Sequence, residues 1–202
     1  MIDSAVCRMA VLLLGLLSTA TGAQEPARTL HGVGLPQFAH SAALDAHLRL
    51  AGATVVDRSY MPFQVVALYV GRDAINVETL ADGLSRCRIE IHWLGPPLDA
   101  AAAADWWHAE FERALPDPAA RLRLGDALTR IASKAGAVQR DSVTAIDYDP
   151  DAGLFVSRDG VVAGRFAGLQ LSRAVLGIWL GASAEETRDV LTRDRPPSPP
   201  TP

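Results

Sequence analysis

Lysine is almost missing from this 202-residue chain: Lys134 stands alone, and the other basic residues are arginines spread without a cluster. With 23 acidic against 19 basic residues and a net charge of -4, the chain lacks the positive patch that a nucleic-acid surface or an anionic membrane demands. Nucleic acid is therefore excluded as a partner. No apolar run reaches the roughly 18 residues of a membrane-spanning helix. Also missing are a GxSxG elbow, a phosphate-binding P-loop and a dinucleotide fingerprint, since "HGVGLPQF" at 31–38 has no third glycine and no preceding strand. The five histidines (His31, His40, His47, His92 and His108) show no HxxxH spacing. Nothing in the sequence calls for a metal or a cofactor.

Hydrophobic residues make up 49% and charged residues 21%, the balance of a folded globular protein. The length suits one domain with a real core. The first 26 residues hold Arg8, an apolar run from Met9 to Leu17 and then small residues at Thr21 and Ala23. This reads as a secretory leader over 1–23, cleaved near Ala23, which places the mature protein in the periplasm or outside the cell with no stable membrane anchor. Cys7 leaves with that leader, so Cys87 is the mature chain's one cysteine and the fold has no internal disulfide. A single domain is expected over 24–193. The end, 194–202, is proline-rich and is expected to be a disordered tail.

"LRLAGATVV" at 48–56 and "MPFQVVALYVG" at 61–71 are rich in β-formers and flank a polar break, which predicts a hairpin. "NVETLADGLSR" predicts a short helix with Asn76 as N-cap. Cys87, Ile89, Ile91 and Trp93 then alternate with Arg88, Glu90 and His92, the period of a half-buried strand. An alanine-rich helix follows from Leu98, with Trp107, Phe111 and Leu115 on one stripe. It stops at "PDP", where Asp117 caps a second helix that carries Leu124, Leu128 and Ile131 inward. From Ser142 the strand period returns in three runs, the last two joined by Asp159-Gly160, a strong hairpin signal. "LQLSRAVLGIWLG" is a helix ended by Gly181, and Ser183 with Glu186 predicts a capping box that opens a final helix. Hairpins with helices between them, without βαβ alternation, define an α+β fold.

Three local patterns have plain readings. "DYDPDAG" alternates Asp147, Asp149 and Asp151, but the glycine comes one place late for a calcium loop and Arg158 stands where the bidentate glutamate belongs, so a turn is expected. Asp105, His108 and Glu112 share a helical face, which a solvated surface explains. Cys87 sits on the inward face of its strand as a small core residue.

Several stretches, in order from about Val33 to about Leu191, resemble the chalcone isomerase-like family of secreted bacterial proteins, relatives of plant chalcone isomerase and of plastid fatty-acid-binding proteins. They are "LRLAGATVV" into "ALYVG", "RIEIHWL", "DYDPDAG..V..DG...G...G" and "SRAVLGIWLG". The resemblance implies an open-faced β-sandwich, a curved antiparallel sheet backed by a layer of helices with an apolar cleft between. Enzymes of this kind close a ring by adding a phenolate across a double bond, which needs a cation and hydroxyl donors for the developing negative charge. Their arginine falls at Val56 and a threonine hydroxyl at Gln64; the serine or threonine before a C-terminal methionine falls at Ile178 and Trp179. The helix that supplies a tyrosine and an asparagine corresponds to 98–107, which has neither.

Valine replaces neither the charge nor the forked donors of arginine, and glutamine offers hydrogen bonds alone. The first expectation is therefore a non-catalytic protein that holds a small apolar or amphipathic molecule, fatty-acid-like or polyphenol-like. Its pocket is expected from Val56, Gln64, Val66, Leu68, Tyr69, Trp107, Ile178 and Trp179; the alternative is that these side chains close a packed core. A second expectation is an intramolecular lyase with a changed polar set, Arg58, Gln64 and Tyr60. A third is an envelope module whose partner is another protein.

Overall fold

A computed structural model describes residues 28–72 and 76–193; the leader and tail expected at 1–23 and 194–202 lie outside the described residues. Strands β1 (Arg28–Leu30) and β2 (Val33–Leu35) form a small hairpin through His31-Gly32. The main sheet holds β3 (Phe38–Ser41), β4 (Ala46–Arg58), β5 (Met61–Val70), β6 (Cys87–Trp93), β7 (Val143–Asp149), β8 (Gly153–Arg158) and β9 (Val161–Phe166), antiparallel and adjacent in chain order. Helix α1 (Val77–Ala81) joins β5 to β6, α2 (Ala100–Ala114) and α3 (Pro118–Ala135) join β6 to β7, and α4 (Leu169–Leu180) and α5 (Glu185–Leu191) follow β9.

Local chemistry accounts for most of the element ends. Asn76 accepts from the Thr79 backbone while the Thr79 hydroxyl engages Asn76 in return, a complete capping box. Asp99 and Asp117 cap α2 and α3, the latter with Pro118 at the first position. Asp159-Gly160 turns with φ of 47° and 81°, the doubly positive geometry expected of that hairpin. The box expected at Ser183 and Glu186 does not form: Ala182–Ala184 is a 3-10 turn, and α5 starts without a side-chain cap.

The two faces of the sheet do different things. Val66, Leu68, Cys87, Ile89, Ile91 and Ile146 face the helices and join Phe111, Ile131, Val175 and Ile178 in the main core. On the other face Leu48, Ala53, Val65, Ala67 and Tyr69 pack under Leu35, with Leu30 and Val33 of the β1–β2 hairpin against them. Next to this second core lies a polar cluster. Arg88 Nη1 donates to both Asp147 oxygens at 2.9 Å and its Nε to Glu90 at 2.7 Å, while Glu90 meets His92 at 3.3 Å. Ser41, on the edge strand β3, reaches Asp147 on β7. Four strand positions separate these two, so the sheet curls over this face until its edge meets its middle.

Burial dominates the Asp147 carboxyl and holds its pKa above the ordinary value despite Arg88. Burial also pushes Glu90 upward, but hydrogen bonding from His92 and the charge of Arg88 outweigh it and bring its pKa below the ordinary 4.5. A depressed carboxyl stabilises the fold above its unfolded value and loses that contribution as pH falls through the folded one. Glu90→Gln is thus expected to lower the urea midpoint at neutral pH, with the gap to the unsubstituted protein closing below about pH 4.5. Arg88→Met strands the buried Asp147 carboxyl and takes one partner from the half-buried Glu90, and is expected to cost about 3–5 kcal/mol in the same measurement at neutral pH.

Gly52 carries a second constraint. A Cβ at this position would run into the backbone carbonyl of Leu191, so the end of α5 lies directly on β4. Gly52→Ala is expected to lower stability by about 1–3 kcal/mol in thermal unfolding, because one of two backbones must give way.

Candidate functional site

Helix α2 shows two stripes. Ala103, Trp107 and Phe111 recur every four residues and are buried in the core. The neighbouring stripe, Trp106, Glu110 and Arg113, faces a cleft bounded by the β4–β5 pair and by the end of α4. In that pair Val56 lies directly opposite Gln64. Arg113 ties the cleft together: Nε donates to Glu110 at 3.0 Å, Nη2 to the Ile178 carbonyl at 3.0 Å and Nη1 to the Ser183 carbonyl at 3.2 Å. A cation in the last turn of α2 is also favoured by the helix dipole.

The cleft encloses about 270 Å³ between Val56, Gln64, Trp106, Ile178, Trp179 and the 3-10 turn with the start of α5. Gln64 is 1% exposed, and its amide nitrogen has no hydrogen-bond partner among the described residues. A buried unpaired donor costs about 1–3 kcal/mol. The rim carries Glu110, Glu185 and Glu186; Glu110 pairs with Arg113, which also donates to two carbonyls, and Glu185 lies 3.8 Å from Arg188. The cleft is therefore only weakly negative at its mouth and offers a neutral donor at its floor.

Of the residues expected to line a pocket, Val56, Gln64, Ile178 and Trp179 come together. Val66, Leu68 and Trp107 are fully buried behind them as core. Trp107 packs edge-on against Trp106 at 4.9 Å and Trp179 at 6.0 Å, and Trp106 against Trp93 at 5.1 Å, so the chain's four tryptophans form one continuous aromatic series between sheet and helices. Tyr69 is on the opposite face, in the second core. Strand alternation dictates this, since 69 differs in parity from 64, 66 and 68. Its buried hydroxyl has no hydrogen-bond partner among the described residues, and burial followed by the nearby Glu90 charge pushes its pKa well above the ordinary phenol value.

The polar set Arg58, Gln64 and Tyr60 does not converge. Tyr60 is 100% exposed in the β4–β5 turn, and Arg58 stands over the Phe63 ring at 5.3 Å, lining different clefts from Gln64. The sequence reading missed Trp106, Glu110 and Arg113. Their spacing of four and three residues on one helix was the available signal, masked by the more apolar stripe beside it. In "DYDPDAG", Asp149 accepts from the Asp151 and Ala152 backbones at 2.9 Å and from Arg86 Nε at 2.7 Å, which makes it a turn-forming residue.

A family model described as chalcone isomerase-like matches residues 27–188. Among solved structures, the crystal structure of a fatty-acid binding protein from Arabidopsis thaliana is similar with a TM-score of 0.59 and 13% identity, covering 78% of this chain and 97% of that one. At that identity the likeness is one of fold, a curled seven-stranded antiparallel sheet with helices. No curated protein sequence matches the chain.

Proposed function

The chain belongs to the chalcone isomerase-like family, and from that premise we propose that it is a non-catalytic binding protein that holds a small amphipathic molecule in the cleft at Gln64. The observation that carries this reading is the buried Gln64 amide nitrogen, unpartnered among the described residues, at the floor of a cleft where Val56, Trp106, Ile178 and Trp179 meet. A ligand carbonyl or hydroxyl there restores the missing hydrogen bond, while Val56, Trp106, Ile178 and Trp179 supply contact for an apolar body.

Charge narrows the ligand. Glu110 is paired with Arg113 and Glu185 with Arg188, which leaves Glu186 without an ion pair among the described residues, so a carboxylate head finds one unpaired negative charge and no free cation among the described residues. A neutral, polyphenol-like ligand fits this cleft better than an ionised fatty acid. At about 270 Å³ the space falls just under the usual 300–1,000 Å³ of drug-sized sites, so the ligand is small or inserts one end.

Against ring closure stands the lack of a free cation beside Gln64 among the described residues, because stabilising a developing oxyanion needs donors aimed at it. The leader-like stretch at 1–23 supports a periplasmic or secreted location.

Titration with a neutral flavanone is expected to quench tryptophan fluorescence saturably, since Trp106 and Trp179 line the cleft. Gln64→Leu keeps the volume and removes the amide; it is expected to weaken binding about tenfold while leaving the melting temperature equal or higher, because an unpaired donor is gone. Equal affinity in the two proteins, or no saturable quench, would refute the site. Incubation with a hydroxylated chalcone is expected to show no ring closure above buffer.

A further inference from the structure

A cleft of about 560 Å³ lies at the open end of the sheet and shares no lining residue with the Gln64 cleft. Its floor is Phe63 against the strand exit after β6. Leu94 and Gly95 both donate their backbone N–H to the Phe63 carbonyl, at 2.9 and 3.1 Å. A Cβ on Gly95 would collide with the Cδ2–Cε2 edge of the Phe63 ring, so that ring edge lies against bare backbone. Trp93 meets Phe63 edge-on at 5.6 Å and the Arg58 guanidinium covers it at 5.3 Å. The apolar floor is thereby fixed before any ligand arrives.

The walls differ in charge from those of the other clefts described above. Arg58, Arg140 and His31 line this cleft and no acidic residue does, in a chain whose net charge is -4. Neither arginine has a carboxylate within ion-pair distance among the described residues. Arg140 is held out by a tight turn in which the Ser142 hydroxyl donates to the Gln139 carbonyl at 2.8 Å and the Ser142 backbone does so at 3.2 Å.

Backbone strain gathers at the same rim. Six non-glycine residues among those described have positive φ, and four of them sit here: His31 at 45° and Ser59 at 52° line the cleft, while Tyr60 at 64° and Asp141 at 67° adjoin it. Residues held in this region are costly and cluster at binding sites. A turn chosen for folding alone would carry glycine or asparagine where Ser59 and Tyr60 stand.

We infer that this end cleft is a second binding site, which takes a small organic anion whose apolar body lies on Phe63, Leu94 and Leu98 and whose charged group sits between Arg58 and Arg140. It does not depend on the Gln64 reading.

The test uses two probes with one body, 8-anilinonaphthalene-1-sulfonate and the uncharged N-phenyl-1-naphthylamine, titrated by fluorescence into the purified protein. Arg58→Gln combined with Arg140→Gln is expected to weaken the sulfonate about tenfold and the neutral probe less than about twofold, with an unchanged circular dichroism spectrum, both side chains being exposed. Met61→Glu, on the exposed wall, is expected to weaken the sulfonate as well, and Gln64→Leu to leave it unaffected. An unchanged sulfonate affinity in the double variant, an equal fall for both probes, or loss of sulfonate binding in Gln64→Leu would each overturn the assignment. A failure of flavanone binding alone would bear on the Gln64 cleft and not on this one.

Discussion

The fold depends on the satisfaction of one buried guanidinium. Arg88 projects from β6, near the middle of the sheet, into a face that is otherwise apolar, and it meets Asp147 and Glu90 there. Charges withdrawn from water must be fully partnered, because the desolvation cost is otherwise several kcal/mol for each ion. Asp147 is fully buried, and one of its partners, Ser41, comes from the far edge of the sheet. Curling is what brings that hydroxyl within reach. The bulges in β4, between Leu50 and Gly52 and again between Val56 and Asp57, supply the local bending the curl requires.

This arrangement divides the labour between the two faces. The face with the ionic cluster is closed by the curl and by the β1–β2 hairpin, so open space is left to the helix side and to the end of the sheet. On the helix side the tryptophan series occupies the middle, and the clefts survive at the margin, where α2 passes the β4–β5 pair and α4 ends. Their opposite polarities, acidic around Gln64 and basic around Phe63, come from different elements. Glutamates of α2 and α5 surround the first, and Arg58 at the end of β4 with Arg140 in the turn before β7 border the second.

Much of this was legible wherever a local rule governs. The alternation from Cys87 to Trp93 announced both faces of β6, Asn76 and Asp117 announced helix starts, and Asp159-Gly160 announced a turn. Less legible were β1, β2 and β3, three or four residues each, too short for a period to show. The capping box at Ser183 does not form because residues 182–184 close a 3-10 turn, and the Ser183 carbonyl accepts from Arg113 of α2, a contact across the fold that no local pattern reports. Arg113 escaped notice as a cleft residue for the same reason. Tyr69 was misplaced although its parity was plain, because the resemblance drew attention to the tyrosine and not to the face it occupies. Of the pocket residues expected, those at the margin of the sheet met, and those one or two strand positions deeper became core.

The contact between Gly52 and Leu191 joins the two ends of the described chain, while every pairing within the main sheet is between neighbours in sequence. Short turns join β3 to β4, β4 to β5, β7 to β8 and β8 to β9, which is kinetically easy, whereas β6 reaches β7 only across α2 and α3 and α5 returns to β4 across most of the fold. Since α5 and the turn before it wall the Gln64 cleft, that cleft exists only once nearly the whole chain has been made and packed. A ligand held there recognises a finished molecule, so occupancy of the cleft doubles as a report that folding is complete.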